Sequence, residues 1–223
     1  MTIAPHTAGQ IAELRLAGRP LVVCDVDEVV MSFIGPFETF LIDSGYRLVA
    51  RSYGLTGNIE RLDDGTAIRQ AEVGRLLDTF FARETGRQRP VEGAIEALAA
   101  LDAVADIVFL TNLPAAYRDE RAAALARHGV PYPVVANDGP KGPAVTRLAA
   151  GAARPVFFLD DSPSNIISVR DAGAATHVIH FVADRRFFDL VDPIDGIALK
   201  SNSWPETGRF ISDAIGAFGT KET

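Results

Sequence analysis

The sequence predicts an α/β chain: a three-layer, Rossmann-like core built on a parallel sheet, with a small α+β insert. Three observations predict it. Short apolar runs alternate with segments of helical periodicity, the pattern of βαβ units with right-handed crossovers. Three of those runs end in polar residues of chemical interest, Asp25/Asp27, Thr111/Asn112 and Asp160/Asp161. Between the first and second of these runs, residues 33–89 lose the βαβ pattern and read as α+β. The expected division is therefore a core of residues 1–32 and 90–223 and an insert of residues 33–89.

Each element has its own signal. Thr7 to Gly18 reads as a short helix carrying Ile11, Leu14 and Leu16, stopped by Gly18. Leu21 to Asp25 is an apolar run of the length and β-branched content of a buried parallel strand. In the insert, Pro36 to Ser44 reads as a helix, and Tyr46 to Arg51 and Asn58 to Leu62 as paired strands. Ile68 to Glu84 is an amphipathic helix with Val73, Leu76, Leu77, Phe80 and Phe81 at helical spacing. Pro90 is expected at the start of a helix bearing Ile95, Leu98 and Leu101. Ile107 to Asn112 reads as a strand, Ala115 to His128 as a helix and Tyr132 to Val135 as a third strand. Lys141 precedes a helix running through Leu148, and Val156 to Asp161 is a fourth strand. Ile166 to Ala172 is helical, His177 to Phe181 is a fifth strand, and Trp204 to Phe218 is a closing helix. Asp184 to Lys200 reads as a loop-rich connection with one short helical piece.

Bulk properties narrow the function. The 223 residues are 48% hydrophobic, enough for one sizeable core. A net charge of −7 argues against nucleic acid as a partner but not against a small anion, because a metal ion can reverse the field in one cleft. The single cysteine, Cys24, excludes an intramolecular disulfide and fits a packed thiol in a reducing compartment. Met1 to Gln10 lacks the pattern of a signal peptide, and no apolar run reaches membrane-spanning length. A cytoplasmic protein without a membrane partner is expected. No oligomeric state follows from the sequence.

The strand ends carry the chemistry. In an open parallel sheet, sites form at the carboxyl ends of the strands. Four carboxylates gathered there repel one another, and a hard divalent cation such as Mg²⁺, which takes oxygen ligands, resolves the repulsion. Thr111 offers a hydroxyl and Asn112 an N–H or amide to phosphate oxygens, and Lys141 adds positive charge. A carboxylate nucleophile, a second acid, a metal and a phosphate cradle are the parts for phosphoryl transfer through an aspartyl-phosphate. Asp27 would protonate the leaving alkoxide and then activate water.

These segments resemble the haloacid dehalogenase superfamily of hydrolases. Asp25-Val26-Asp27-Glu28-Val29 is similar to its first motif and Leu110-Thr111-Asn112 to its second. Lys141 falls where the third is expected, and Asp160-Asp161-Ser162-Pro163-Ser164-Asn165-Ile166 resembles the paired-acid form of the fourth. The resemblance implies Asp25 as nucleophile and metal ligand, and Asp27 as general acid/base and metal ligand through its carbonyl. It implies Thr111 and Asn112 as phosphate ligands and Lys141 as the residue that steadies nucleophile and phosphate. Asp161 is the first choice for direct metal contact, with Asp160 direct or through water. Members with dehalogenase or phosphonate chemistry generally lack the second acid, so Asp27 favours phosphate esters.

Where many members have Gly, this chain has Glu28, expected to be an exposed spectator or else to narrow the metal site. Residues 33–89 resemble a cap that closes over the site, which suits a small phosphorylated metabolite. Arg47, Arg51 and Arg69 are candidate substrate contacts, although a solvated basic face is the simpler reading of each. The expected function is a Mg²⁺-dependent phosphatase of a small phosphomonoester. The alternatives are a phosphomutase on the same scaffold and a non-catalytic protein that binds a phosphate ligand.

Overall fold

The computed structural model describes residues 2–173 and 175–219. Along the chain run α1 (Pro5–Glu13), β1 (Pro20–Cys24), α2 (Ile34–Asp43), β2 (Tyr46–Leu48), β3 (Ile59–Arg61), α3 (Gln70–Glu84), α4 (Ala94–Asp102) and β4 (Asp106–Thr111). Then follow α5 (Arg118–Arg127), β5 (Val134–Ala136), α6 (Gly142–Ala149), β6 (Ala153–Asp160), α7 (Pro163–Asp171), β7 (Thr176–Phe181), α8 (Arg185–Leu190), β8 (Leu199–Ser201) and α9 (Trp204–Gly219).

The core sheet has the order β5-β4-β1-β6-β7-β8, and every pairing in it is parallel. Side chains of a strand alternate between faces, and this sheet is apolar on both. Val22, Cys24, Phe109, Phe157 and Leu159 pack with Leu98 of α4 and Trp204 and Ile211 of α9. Leu21, Val23, Val108, Leu110 and Phe158 pack on the opposite face with Val145 and Leu148 of α6 and Val169 of α7. The result is the three-layer arrangement that the sequence predicts. Burying one such side chain contributes about 1.5–3 kcal/mol relative to leaving it in water. The strand order reverses between β1 and β6, the switch point where an open sheet leaves a crevice.

Some boundaries differ from expectation for local reasons. α1 ends at Glu13, and Leu14 is already extended, with ψ 143°. Pro90 does not start a helix: it forms an antiparallel bridge with Met31, and α4 begins after Gly93, whose φ is +76°. β2 is shorter than expected because Asn58 Nδ2 gathers the carbonyls of Ser52 and Gly54 into a loop. β8 had no sequence signal; it is a three-residue edge strand whose Lys200 donates to the carbonyls of Phe188 and Val191.

Between β1 and α4, α2 and α3 enclose the antiparallel pair β2–β3, which is in register Tyr46 to Arg61. Its apolar cluster is built on Phe33, Phe37, Phe40 and Phe80, and takes in Val182 and Phe187 from the far end of the chain. The chain leaves and re-enters the core side by side, Ser32 N–H donating to the Arg89 carbonyl at 2.8 Å. Among the described residues, no helix is long and apolar enough to cross a membrane.

Candidate active site

Asp25 follows the last residue of β1, and its N–H still donates to the Leu159 carbonyl at 2.9 Å. That bond fixes Asp25 at the switch point beside Asp160, the last residue of β6. Lys141, just ahead of α6, sends its ammonium into the gap between them. Its Nζ lies 2.7 Å from Asp25 Oδ1 and 2.7 Å from Asp160 Oδ2, with no side-chain exposure. Asp160 also accepts from the Ser162 N–H at 2.9 Å and Asn165 Nδ2 at 3.1 Å. Asp161 sits one residue past the strand. Its Oδ2 accepts from the Tyr53 hydroxyl at 2.7 Å, and its carbonyl accepts from His180 Nε2 at 2.7 Å. One oxygen each of Asp25, Asp160 and Asp161 falls within 4.8 Å of the others.

Three carboxyl groups share one ammonium, so acid outnumbers cation in a place with little water. Burial is the chief cause that pushes Asp25 up to about 7; Lys141 opposes the shift, while Asp160 and Asp27 add to it. Burial, then Asp160 and Asp25, push Asp161 well up. Burial disfavours the Lys141 ammonium, but Asp160 and Asp25 outweigh it and hold the lysine above its ordinary value. The Cys24 thiol beneath is driven up by burial and is a packed, protonated group.

Asp27 stands apart from this cluster. Its Oδ1 accepts from Gln88 Nε2 at 2.9 Å and from the Arg121 guanidinium at 2.8 Å, and Arg121 is wholly buried. Gln88 is held in turn by the Ser32 carbonyl at 3.0 Å. Asp27 is therefore a fixed carboxylate with one oxygen occupied by dedicated donors.

Glu28 is not an exposed spectator, and it lies outside the carboxylate cluster. It is buried, with φ +62°, a left-handed backbone that explains why Gly suits this position. Its Oε2 accepts from Phe33 N–H at 3.0 Å and Ile34 N–H at 2.8 Å, at the start of α2, and Oε1 accepts from Asp184 N–H at 2.8 Å. A carboxylate suits the unpaired N–H groups of a helix start. Burial raises its pKa against the pull of those three donors.

Thr111 is buried at the end of β4, where its hydroxyl accepts from Leu113 N–H at 3.2 Å. The Asn112 amide turns away, donating to the Gly139 carbonyl at 3.0 Å and accepting from Asn137 at 2.9 Å. That leaves the Asn112 backbone N–H as the candidate for a phosphate oxygen. Arg47 and Arg51 both bind Glu60 and are not free to meet a substrate. The sequence reading missed Tyr53, Gln88 and Arg121, which reach the site from 108, 61 and 94 positions away. It also placed His180 on no functional group, whereas His180 positions the Asp161 backbone.

Neither a protein-family model nor a curated protein matches the sequence. Solved structures do match. A conserved haloacid dehalogenase-like protein of unknown function from Agrobacterium tumefaciens aligns over 88% of this chain and 99% of its own, with TM-score 0.60 and 15% identity. A haloacid dehalogenase family hydrolase from Deinococcus radiodurans, solved with bound phosphate and sodium, aligns over 89% and 97%, with TM-score 0.58 and 17% identity. The L-2-haloacid dehalogenase of Xanthobacter autotrophicus aligns over 87% and 98%, with TM-score 0.53 and 12% identity. The chain therefore has the haloacid dehalogenase-like fold.

Proposed function

We propose that this chain is a Mg²⁺-dependent phosphatase that hydrolyses a small phosphomonoester through an aspartyl-phosphate on Asp25. The observation that carries the reading is Lys141 wedged between Asp25 and Asp160, with Asp161 completing a set of three carboxyl groups that share this one cation. Such a set fits a hard divalent cation. Asp25, Asp161 and Asp160 would hold it, with the Asp27 carbonyl as a further donor. When bound, the ion supplies charge compensation for phosphate oxygens. A neighbour of the same fold was solved with phosphate and sodium.

The chain's own residues divide the work. The Asp25 carboxylate attacks phosphorus, and the bond from phosphorus to the ester oxygen breaks. Asp27 donates a proton to that departing oxygen. It then takes one from the water that attacks the phosphorus of the acyl phosphate, releasing phosphate and restoring the Asp25 carboxylate. The Thr111 hydroxyl and Asn112 N–H bind the transferring group. Arg121 and Gln88 fix one oxygen of Asp27, leaving Oδ2 to carry the proton. Residues 33–89 act as a cap that limits the substrate to a small molecule.

The fold neighbour that is an L-2-haloacid dehalogenase raises a second chemistry. A departing halide needs no proton, so an acid held by two dedicated donors would have no task there. The test is phosphate release from an aryl phosphate with and without Mg²⁺, for wild type and Asp25→Asn. Turnover that requires Mg²⁺ and falls by several orders of magnitude in the variant is expected. Equal turnover by the two proteins would refute the mechanism.

A further inference from the structure

A cavity of about 200 Å³ lies between the insert and the core, beside the carboxylate cluster. Phe33, Leu55, Val182 and Phe187 line it, and Tyr53 and Asp161 meet at its edge through their 2.7 Å hydrogen bond. The Phe187 ring meets the Tyr53 ring edge to face at 6.1 Å, which fixes this wall. Asp161 joins the cavity to the reaction centre, since its carboxylate is within 4.8 Å of that of Asp25.

From this we propose that the site selects esters of small apolar alcohols, carrying one aromatic ring or a branched aliphatic group. The inference rests on the phosphatase reading and names the substrate class of that site. Size supports it: an apolar cavity of roughly 150 Å³ holds a benzene ring, so about 200 Å³ suits one ring or an isoamyl chain. Charge supports it as well. The lining contains no lysine, arginine or histidine, and its two carboxylates are those of Asp161 and Glu28. Neighbouring cations are committed elsewhere: Arg47 and Arg51 to Glu60, and Arg186 to Glu38 and Asp184. A second phosphate or a carboxylate on the substrate would meet no cationic side chain in this lining and would lose its hydration there. Sugar hydroxyls would lose hydrogen bonds to water against a wall of phenyl and alkyl groups. Sugar phosphates, bisphosphates and phosphorylated amino acids are therefore disfavoured.

The experiment compares kcat/KM, with Mg²⁺, for benzyl and isoamyl phosphate against glycerol 3-phosphate, ribose 5-phosphate and phosphoserine. One buried methylene is worth about fourfold, so a preference of at least ~10-fold to 100-fold for the apolar pair is expected. Leu55→Trp, at a half-buried position of the lining, fills the cavity and should collapse that ratio. Its circular dichroism and melting curve establish that it is folded, and Leu55→Asp serves in its place if it is not. In parallel, calorimetry compares benzylphosphonate with methylphosphonate in the presence of Mg²⁺. Equal hydrolysis of polar and apolar esters would overturn the selectivity and leave the phosphatase standing. If no ester turns over, yet benzylphosphonate binds at least ~10-fold tighter and Leu55→Trp removes the difference, the pocket stands and the catalytic reading falls. No difference between the two phosphonates, or a ratio unmoved by the Leu55 variants, would overturn the pocket.

Discussion

Two of the clusters that pair carboxylates with cations in this molecule behave differently. At the core edge, Lys141 serves Asp25 and Asp160 with no exposure of its own. In the insert, one carboxylate, Glu60, is shared by Arg47 and Arg51, whose side chains are 51% and 54% exposed. Glu60 is shielded mainly by those two arginines, which stand in water themselves. Their hydrogen bonds, Arg51 first, lower its pKa, whereas burial raises that of Asp25. The Glu60 cluster has more cation than acid and is satisfied. The core edge has more acid than cation, and that deficit invites a metal. An ion pair therefore says little about function until its burial and its charge balance are known.

The comparison can be broken at several points. Lys141→Met should have the largest effect: it leaves Asp25 and Asp160 without their cation and should cost about 3–5 kcal/mol in stability along with all turnover. Urea unfolding measures the first, and a variant as stable as wild type would deny that Lys141 holds the cluster together.

The next effect is a coupling between pH and metal. Folded Asp25 holds its proton up to about 7, whereas its ordinary value is 3.8. The metal-free fold thus binds more protons than the unfolded chain between those values. Its stability should fall as pH rises from about 4 through 7, by an amount on the order of a few kcal/mol. Millimolar Mg²⁺ at pH 7.5 should restore it, because the ion binds the folded state. Melting curves at pH 5, 6 and 7.5, with and without Mg²⁺, would contradict this if neither variable moved them.

A smaller effect follows at Asp161. Tyr53→Phe frees Oδ2 from the phenol and should tighten Mg²⁺ binding by roughly fivefold, the worth of about one hydrogen bond. Calorimetric titration gives the answer, and weaker binding would mean that the phenol orients Asp161 for the metal. The smallest is Arg47→Ala, where Arg51 still serves Glu60. The melting temperature should move by less than ~2 °C, and kcat should not change. A loss of turnover there would restore Arg47 as a substrate contact.

Much of this was legible in the sequence because it is local. Val22-Val23-Cys24 followed by Asp25 marks a buried strand and the edge where it ends. The same holds for Phe158-Leu159-Asp160. The alternation of strands and helices then selects a parallel sheet, since a parallel pair needs a crossover. The role of Glu28 was not legible. An acid between two apolar runs looks solvated until its backbone turns to φ +62° and the start of α2 arrives above it. Arg121 was missed because a basic residue on a helix reads as surface, and nothing nearby in the sequence marks Asp27 as its partner. β8 was missed because its three residues, Leu199–Ser201, are too few to show a period.

By itself the sequence determined the parallel sheet apart from its edge strand β8, the layers and the identity of the acids that end its central strands. Hydrophobic period and strand-end chemistry are properties of neighbouring residues, and they survive in one dimension. Only the tertiary structure decided which charges are compensated. It placed Lys141 between two acids, gave Asp27 the donors Arg121 and Gln88, and set Tyr53 against Asp161 at the edge of an apolar cavity. Burial and charge balance depend on groups from distant segments meeting in one low-dielectric place, and that meeting is made by packing.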